Sequence, residues 1–424
     1  MPQADNSQPT GENPVVAKST LIRRTFQALT YPEFRVLWCG AFVSTVGTWM
    51  QKVAQSWLVF TLTGSALLLG FDSFLGELPI LLFSLIGGVV ADRMDRRRLL
   101  LTSQYLQMTF ALTLAALIYF HKVSVWQILL LSFLTGSAQA FGGPAYQSLI
   151  PTLVEKKDIS NAIALNSIQF NLARIIGPVI AGLAFTALGA AACFLLNGIS
   201  FLAVIFSLSS FKSLAVPNEV HGKLLDELRS GLSFVRSQPI LMTLSFLAFC
   251  STFFGVPLIT MLPVFAKDVF HLGPRGYSGL LACTGVGAVI GALVVAALGN
   301  FSNKGRIALA LQVVFGAMAI LFSFSPILWL SLTALLLAGI ALVAVFALMT
   351  SLVQLQVPES MRGRVVSIYM MAFRGGTPLG SLTTGFLVSH WSPSWVLAGN
   401  GLIMCLVGTT FLLLRQRSAV GLNA

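Results

Sequence analysis

Charged side chains are scarce in this chain. Asp, Glu, Lys and Arg make up 9% of its 424 residues, against about a quarter in ordinary soluble domains. So few charges cannot cover the surface of a water-soluble protein of this size. A soluble enzyme or binding module is therefore excluded, and lipid is the solvent for most of the chain. Histidine is rarer still, at four residues. The five cysteines (Cys39, Cys193, Cys250, Cys283 and Cys405) lie singly in apolar sequence without C-x-x-C or a neighbouring histidine, so neither a zinc site nor a disulfide is expected. Each reads as a small buried hydrophobe. No G-x-x-x-x-G-K-[ST] loop is present, which rules out an ATP-driven pump. No H-E-x-x-H or G-x-S-x-G motif points to an enzyme. Residues 1–30 are polar, with Pro2, Pro9 and Pro14 and no apolar core, so the first span is expected to direct insertion itself.

What fills the chain instead is hydrocarbon, with 56% of residues hydrophobic. A helix needs about 20 apolar residues to cross a bilayer. Twelve such runs are read, near 36–60, 66–90, 99–120, 125–149, 161–187, 190–211, 240–265, 277–299, 306–325, 327–350, 364–389 and 394–414. The net charge of +12 tests this segmentation. Of 26 Lys and Arg, 20 fall on the side shared by both termini and the even–odd loops. The opposite side holds Lys122, Lys267 and Arg275, while Lys52, Arg174 and Arg374 lie within spans. Basic residues accumulate on the cytoplasmic side, so both termini are expected there. The basic charge follows topology, and no nucleic-acid partner is expected. Residues 212–239 form the longest internal loop, and Leu224, Leu225, Leu228, Leu232, Phe234 and Val235 fit an amphipathic helix at the membrane surface. The expected organisation is a cytoplasmic tail (1–30), a six-helix bundle (31–211), the central loop (212–239), a second six-helix bundle (240–415) and a short cytoplasmic tail (416–424). The halves echo each other in Arg174–Pro178 and Arg374–Pro378, both Arg-x-x-x-Pro.

Between the second and third runs the chain reads Gly88-Val-Val-Ala-Asp92-Arg93-Met-Asp95-Arg96-Arg97-Arg98. Six charges in seven residues cannot sit in hydrocarbon and must form a water-exposed hairpin. The spacing G-x-x-x-D-R-x-x-R-R resembles the signature loop between helices 2 and 3 of the major facilitator superfamily. Further stretches include Trp49-Met-Gln51, Pro144-Ala-Tyr-Gln-Ser-Leu-Ile-Pro151, Arg174-Ile-Ile-Gly177-Pro178 and Arg362-Gly363-Arg364-Val365. These are similar to the bacterial drug- and siderophore-export branch of that superfamily, over residues from about 20 to 415. The resemblance implies an all-α polytopic membrane protein, with twelve transmembrane helices in two pseudo-symmetric six-helix bundles around a central pathway. Gly88, Asp92, Arg93, Arg96 and Arg97 then form a conformational latch. Gly88 permits close helix approach, Asp92 accepts backbone N–H groups at a helix end, and the arginines bridge loops in one state only.

Ionisable residues inside spans are costly and usually functional. Lys52 stands in a polar row with Thr45, Thr48 and Gln55, and Asp72 and Glu77 lie on the next span. One reading is a Lys52–Asp72 pair that fixes packing; the other is a proton or substrate site. Desolvation favours protonation of a carboxyl and a nearby lysine opposes it, so Glu77, with no cation expected at its depth, is the better proton carrier. Arg174 and Arg374 either satisfy carbonyls freed by Pro178 and Pro378 or act as a gate or anionic-substrate contact. Gly177, Pro178 and Gly182 place small residues on one helix face. In the resembling exporters a Gly-Pro segment in span 5 recurs, which leans towards export.

The expected activity is secondary active transport by alternating access in a bacterial inner membrane. The cargo is a small amphipathic compound such as a drug, siderophore or secondary metabolite, exported at the expense of the proton gradient. No cofactor or metal is expected, and the protein is expected to be a monomer whose partners are its substrate and the lipid bilayer. The alternatives are an importer of a nutrient or metabolite on the same fold, or a non-transporting membrane sensor or scaffold.

Overall fold

The computed structural model of the chain describes residues 25–210, 224–299 and 303–417. The regular structure there is helical throughout. The first half contains α1 (Pro32–Thr63), α2 (Ala66–Arg93), α3 (Arg96–Tyr119), α4 (Val125–Leu149), α5 (Ile159–Leu188) and α6 (Ala190–Ser209). A short α7 (Leu224–Ser237) leads into α8 (Pro239–Gly255), α9 (Pro274–Leu298), α10 (Lys304–Phe324), α11 (Leu328–Gln356), α12 (Arg362–Val388) and α13 (Pro393–Arg417). Beyond α8 the span runs on as single turns, Pro257–Thr260 and Leu262–Val264, and a π-turn over Phe265–Val269. Pro257 and Pro263 each remove a backbone donor and break the regular ladder there.

Among the described residues, ten helices are long and apolar enough to cross a membrane. The other two long helices, α1 and α12, have 32 and 27 residues. At 1.5 Å per residue they reach about 48 and about 40 Å, so composition, not length, separates them. α1 carries Lys52 and a row of Thr and Gln, and α12 carries Arg362, Arg364 and Arg374.

Local signals set the turns. Gly64, at φ +61°, ends α1 in the left-handed conformation that glycine adopts without strain. Ser65 Oγ then accepts the Leu68 amide to start α2, so α1 and α2 run antiparallel from a tight turn. Asp95 caps α3 by accepting the Arg97 and Arg98 amides. Ser124 and Gln127 form a capping box on α4. The tight break expected at Ser325-Pro326 is observed, since α10 ends at Phe324 and α11 begins at Leu328.

Within the first half α2 packs on α4, α1 on α5 and α6, and α3 on α4 and α6. In the second half α9 packs on α11, α10 on α11 and α13, and α12 on α8. The halves meet mainly along two helix pairs, α2 with α12 and α5 with α9. Close crossings are made at glycine: a Cβ on Gly380 would strike the Phe253 carbonyl of α8, and one on Gly70 the Ser381 carbonyl of α12.

The apolar core divides unequally along the helix axes. At the end holding the Gly64, Gly189 and His271 turns, one continuous cluster draws on both halves, from Trp57, Phe60 and Leu69 to Met261, Phe265 and Tyr277. At the opposite end, rich in Arg and Lys, the halves keep separate clusters. Phe34, Leu37, Leu100, Leu149 and Leu165 belong to the first, and Leu244, Met349, Leu352 and Tyr369 to the second. These two ends are termed the far end and the basic end.

Two expectations change here. The described part of α7 packs against α12, with Val235 buried and Ser230 Oγ within 3.3 Å of Arg364 Nη1. Val235 of its apolar face is thus covered by protein, while Leu232 is exposed. Of the cysteines, Cys193 and Cys250 are buried whereas Cys39 is exposed; in a bilayer an exposed apolar side chain meets lipid, so burial is not required.

Candidate functional site

Midway along α1 stand Trp49, Lys52 and Gln55. Lys52 Nζ lies 3.3 Å from Glu77 Oε1, with the two side chains 56% and 34% exposed. One turn towards the far end, Gln55 Nε2 is 3.0 Å from both carboxylate oxygens of Asp72 and 2.8 Å from Ser132 Oγ. Ser132 Oγ in turn donates to Asp72, which is buried. The expected Lys52–Asp72 pair is therefore corrected: Lys52 holds Glu77, and Asp72 is held by two neutral donors. The reason is register. Antiparallel helices joined at Gly64 place residues equidistant from that turn at equal depth. Gln55 and Asp72 are nine and eight residues from it, and Lys52 and Glu77 twelve and thirteen. The premise that made Glu77 the proton carrier, the lack of a cation at its depth, fails for the same reason.

Arg174, near the middle of α5, stacks on Trp49 with its guanidinium carbon 5.7 Å from the ring centroid. Lys52 Nζ lies 5.4 Å from the same centroid. Gly177, one turn on, abuts the Trp49 Cβ, which lets α5 approach α1 closely enough for the arginine to reach the ring. Arg174 also lines a void walled by Leu258, Ile259, Thr284, Phe315 and Leu342 of the second half. The expected bonding of Arg174 to carbonyls freed by Pro178 is not found. Pro178 sits buried inside α5, and Arg174 makes no hydrogen bond or ion pair among the described residues. Arg374 is exposed on α12 and likewise makes none there, while Gly376 and Pro378 behind it are buried. Trp49 joins the site although nothing in the chain's charge pattern marks it. Ser132 was missed too, because one serine in an apolar span is common and gives no signal. Further towards the basic end, Thr45 Oγ1 accepts from Gln169 Nε2, and the Tyr146 hydroxyl bonds Asn166.

The latch residues show a different geometry from the one expected. Arg96 Nη1 donates to the Ser148 carbonyl at the end of α4. Arg97 reaches the Leu208 and Ser209 carbonyls at the end of α6, its Nε at 2.6 Å from Leu208 O. Cations at helix C-termini satisfy orphan carbonyls and the dipole together. These contacts tie the first half to itself. Arg93 is exposed, and the Asp92 side chain lies outside the described residues. Gly88 is corrected: a Cβ there meets nothing within 4 Å, and it is Gly87 that lies against the Ala140 carbonyl of α4. Nearby, Tyr31 donates to Asp158 at 2.8 Å, and this bond to a carboxylate pushes the phenol above its ordinary value. Asn161 ties the segment before α1 to α5 through the Ala28 amide and the Thr25 carbonyl.

A multi-pass helical protein with charged side chains set between two halves that share a core at one end only is a membrane transporter in architecture. The chain belongs to the transmembrane secretion effector family of the major facilitators, whose profile matches residues 23–422. It is 27% identical to the staphyloferrin A transporter of Staphylococcus aureus over 359 residues, 81% of this chain and 86% of that one. Its identity with the enterobactin exporter EntS of Shigella boydii is 25% over 385 residues, 91% and 92% of the two chains. In fold it is similar to the inward-facing, unoccupied structure of a bacterial homologue of the human lysosomal transporter Spinster. The TM-score is 0.70 at 14% identity, covering 91% of this chain and 97% of that one. The protein is thus a major-facilitator transporter and not an enzyme.

Proposed function

We propose that the protein exports a small amphipathic compound across a bacterial inner membrane by proton-coupled alternating access. In this reading all twelve long helices span the bilayer as two six-helix bundles, in a monomer with the basic end and both termini cytoplasmic. The observation that carries it is the unequal core: one cluster closes the far end across both halves, while the basic end has two. A molecule in that arrangement admits cargo from the cytoplasm, and the α2–α12 and α5–α9 contacts are the hinges about which it turns. The latch arginines, which bind helix ends of their own half here, exchange partners when the basic end closes.

Proton coupling falls to Asp72 rather than Glu77. A charged side chain costs up to about 3 kcal/mol at the centre of a membrane helix on insertion scales, and protonation removes the part of that cost that Asp72 bears at its shallower, buried position. Glu77 is paired with Lys52 at 3.3 Å instead. The names of three relatives, an enterobactin exporter, a macrolide efflux protein and a multidrug efflux pump, support the direction. The test is reconstitution into vesicles with the basic end outward, an acidic lumen and a panel of amphipathic compounds in the bath. The reading expects accumulation of at least one compound, collapsing when a protonophore dissipates the gradient. Accumulation indifferent to the protonophore would remove the coupling, and its absence across the panel would remove the export reading.

A further inference from the structure

The charges around Trp49 do not balance. Two cations, Lys52 and Arg174, lie against one indole at 5.4 and 5.7 Å. A single carboxylate, Glu77, contacts one of them. Asp72 cannot serve as the second counter-ion, because it is buried behind Gln55 and Ser132. An arginine at mid-depth without a counter-ion is costly in a membrane protein, and such a cost is retained where the cation has work to do. We infer that the cluster around Trp49 is built for an amphipathic anion, whose negative group is received by Arg174 and Lys52 and displaces Glu77 from Lys52. The inference rests on the transport reading and names the class of its cargo.

Three features make the exchange feasible. The Lys52–Glu77 pair is more than half open on the lysine side, and exposed pairs of this kind contribute only about 0–1 kcal/mol, so an incoming anion displaces the carboxylate at little cost. The guanidinium presents a planar fork that matches a carboxylate or sulfonate with two parallel hydrogen bonds. The void beside it is lined by Leu258, Ile259, Phe315 and Leu342, and Phe170 packs edge-on to Trp49 at 6.0 Å. The void as it stands has room for about one water, so these side chains receive the apolar body of the cargo only as the two halves part. A cationic cargo of the same shape meets two like charges and finds the site's accessible carboxylate already occupied.

The test uses the full-length protein in nanodiscs of zwitterionic phosphatidylcholine, with 2-naphthoate and 2-naphthylmethylammonium as probes of one ring system and opposite charge. Titration calorimetry should show naphthoate binding at least about tenfold more tightly, the size of one charge-assisted hydrogen bond. Arg174→Gln should remove about that factor for naphthoate and leave the ammonium bound no more weakly, or more tightly, with Arg174→Lys in between. Glu77→Gln should tighten naphthoate, because its competitor for Lys52 is gone. Equal affinities, a preference for the ammonium, or no measurable naphthoate binding in the wild type overturns the inference, with no variant needed. Loss of this charge preference alongside intact proton-driven transport would leave the transport reading standing. An anion preference in a protein that moves nothing would leave the site and remove the transporter.

Discussion

Asp72 and Glu77 are carboxylates five residues apart on one helix, and their neighbours give them different work. Asp72 is enclosed by Gln55 and Ser132, whose neutral dipoles are the groups it bonds. Glu77 is partly exposed and is held by Lys52. Asp72→Asn should therefore abolish pH-gradient-driven transport while downhill exchange of cargo survives, since a fixed neutral side chain still permits the loaded swing. Glu77→Gln should keep proton movement, read with a trapped pH indicator in vesicles. If Glu77→Gln stops proton movement and Asp72→Asn does not, the assignment is reversed. The residues of this site stand out in the sequence as charges within apolar runs, but their pairing does not. Pairing depends on counting from the Gly64 turn, where one helical turn separates a partner from a bystander. Trp49 stands in one of the stretches that resemble the exporters, but its place in this site shows only where Gly177 lets α5 close on it.

At the scale of elements, glycine positions decide which helices touch. Gly87 lies against the Ala140 carbonyl, and Gly380 against that of Phe253, whereas the space beside Gly88 is open. Gly380→Leu and Gly87→Leu should each destabilise the protein by about 1–3 kcal/mol, the usual cost of forcing side-chain volume into a packed contact. Gly88→Ala should leave the melting temperature unchanged, as read by thermal unfolding in detergent. A Gly88→Ala protein that unfolds as early as Gly87→Leu would show the described contacts to be wrong. The helices themselves were legible because lipid demands about 20 apolar residues per crossing, and Gly, Pro and Ser mark the breaks. The interruption of the seventh run at Pro257 and Pro263 was hidden by its uniform hydrophobicity. The docking of α7 on α12 was hidden because an amphipathic face does not say whether protein or lipid covers it.

At the scale of the whole molecule, the division of the core is the central fact. Hydrophobic periodicity counts helices and basic residues orient them, but neither says at which end two halves adhere. That depends on contacts between residues 200 and more apart, such as the Trp57–Tyr277 stack at 5.9 Å and Lys267 over Phe60 at 5.2 Å. If transport proceeds by alternating access, these far-end contacts must part as the basic ends meet. The decisive measurement is a pair of inter-label distances by electron–electron double resonance on the full-length protein in nanodiscs. One pair, Ser160→Cys with Gln354→Cys, spans the basic end, and the other, Leu62→Cys with His271→Cys, spans the far end; both are placed in a background lacking the native cysteines. With Asp72→Asn mimicking the protonated carrier, the account predicts that the basic-end distance shortens as the far-end distance lengthens, within one sample series. Distances that change in the same sense at both ends, or a far end that never opens, would contradict it.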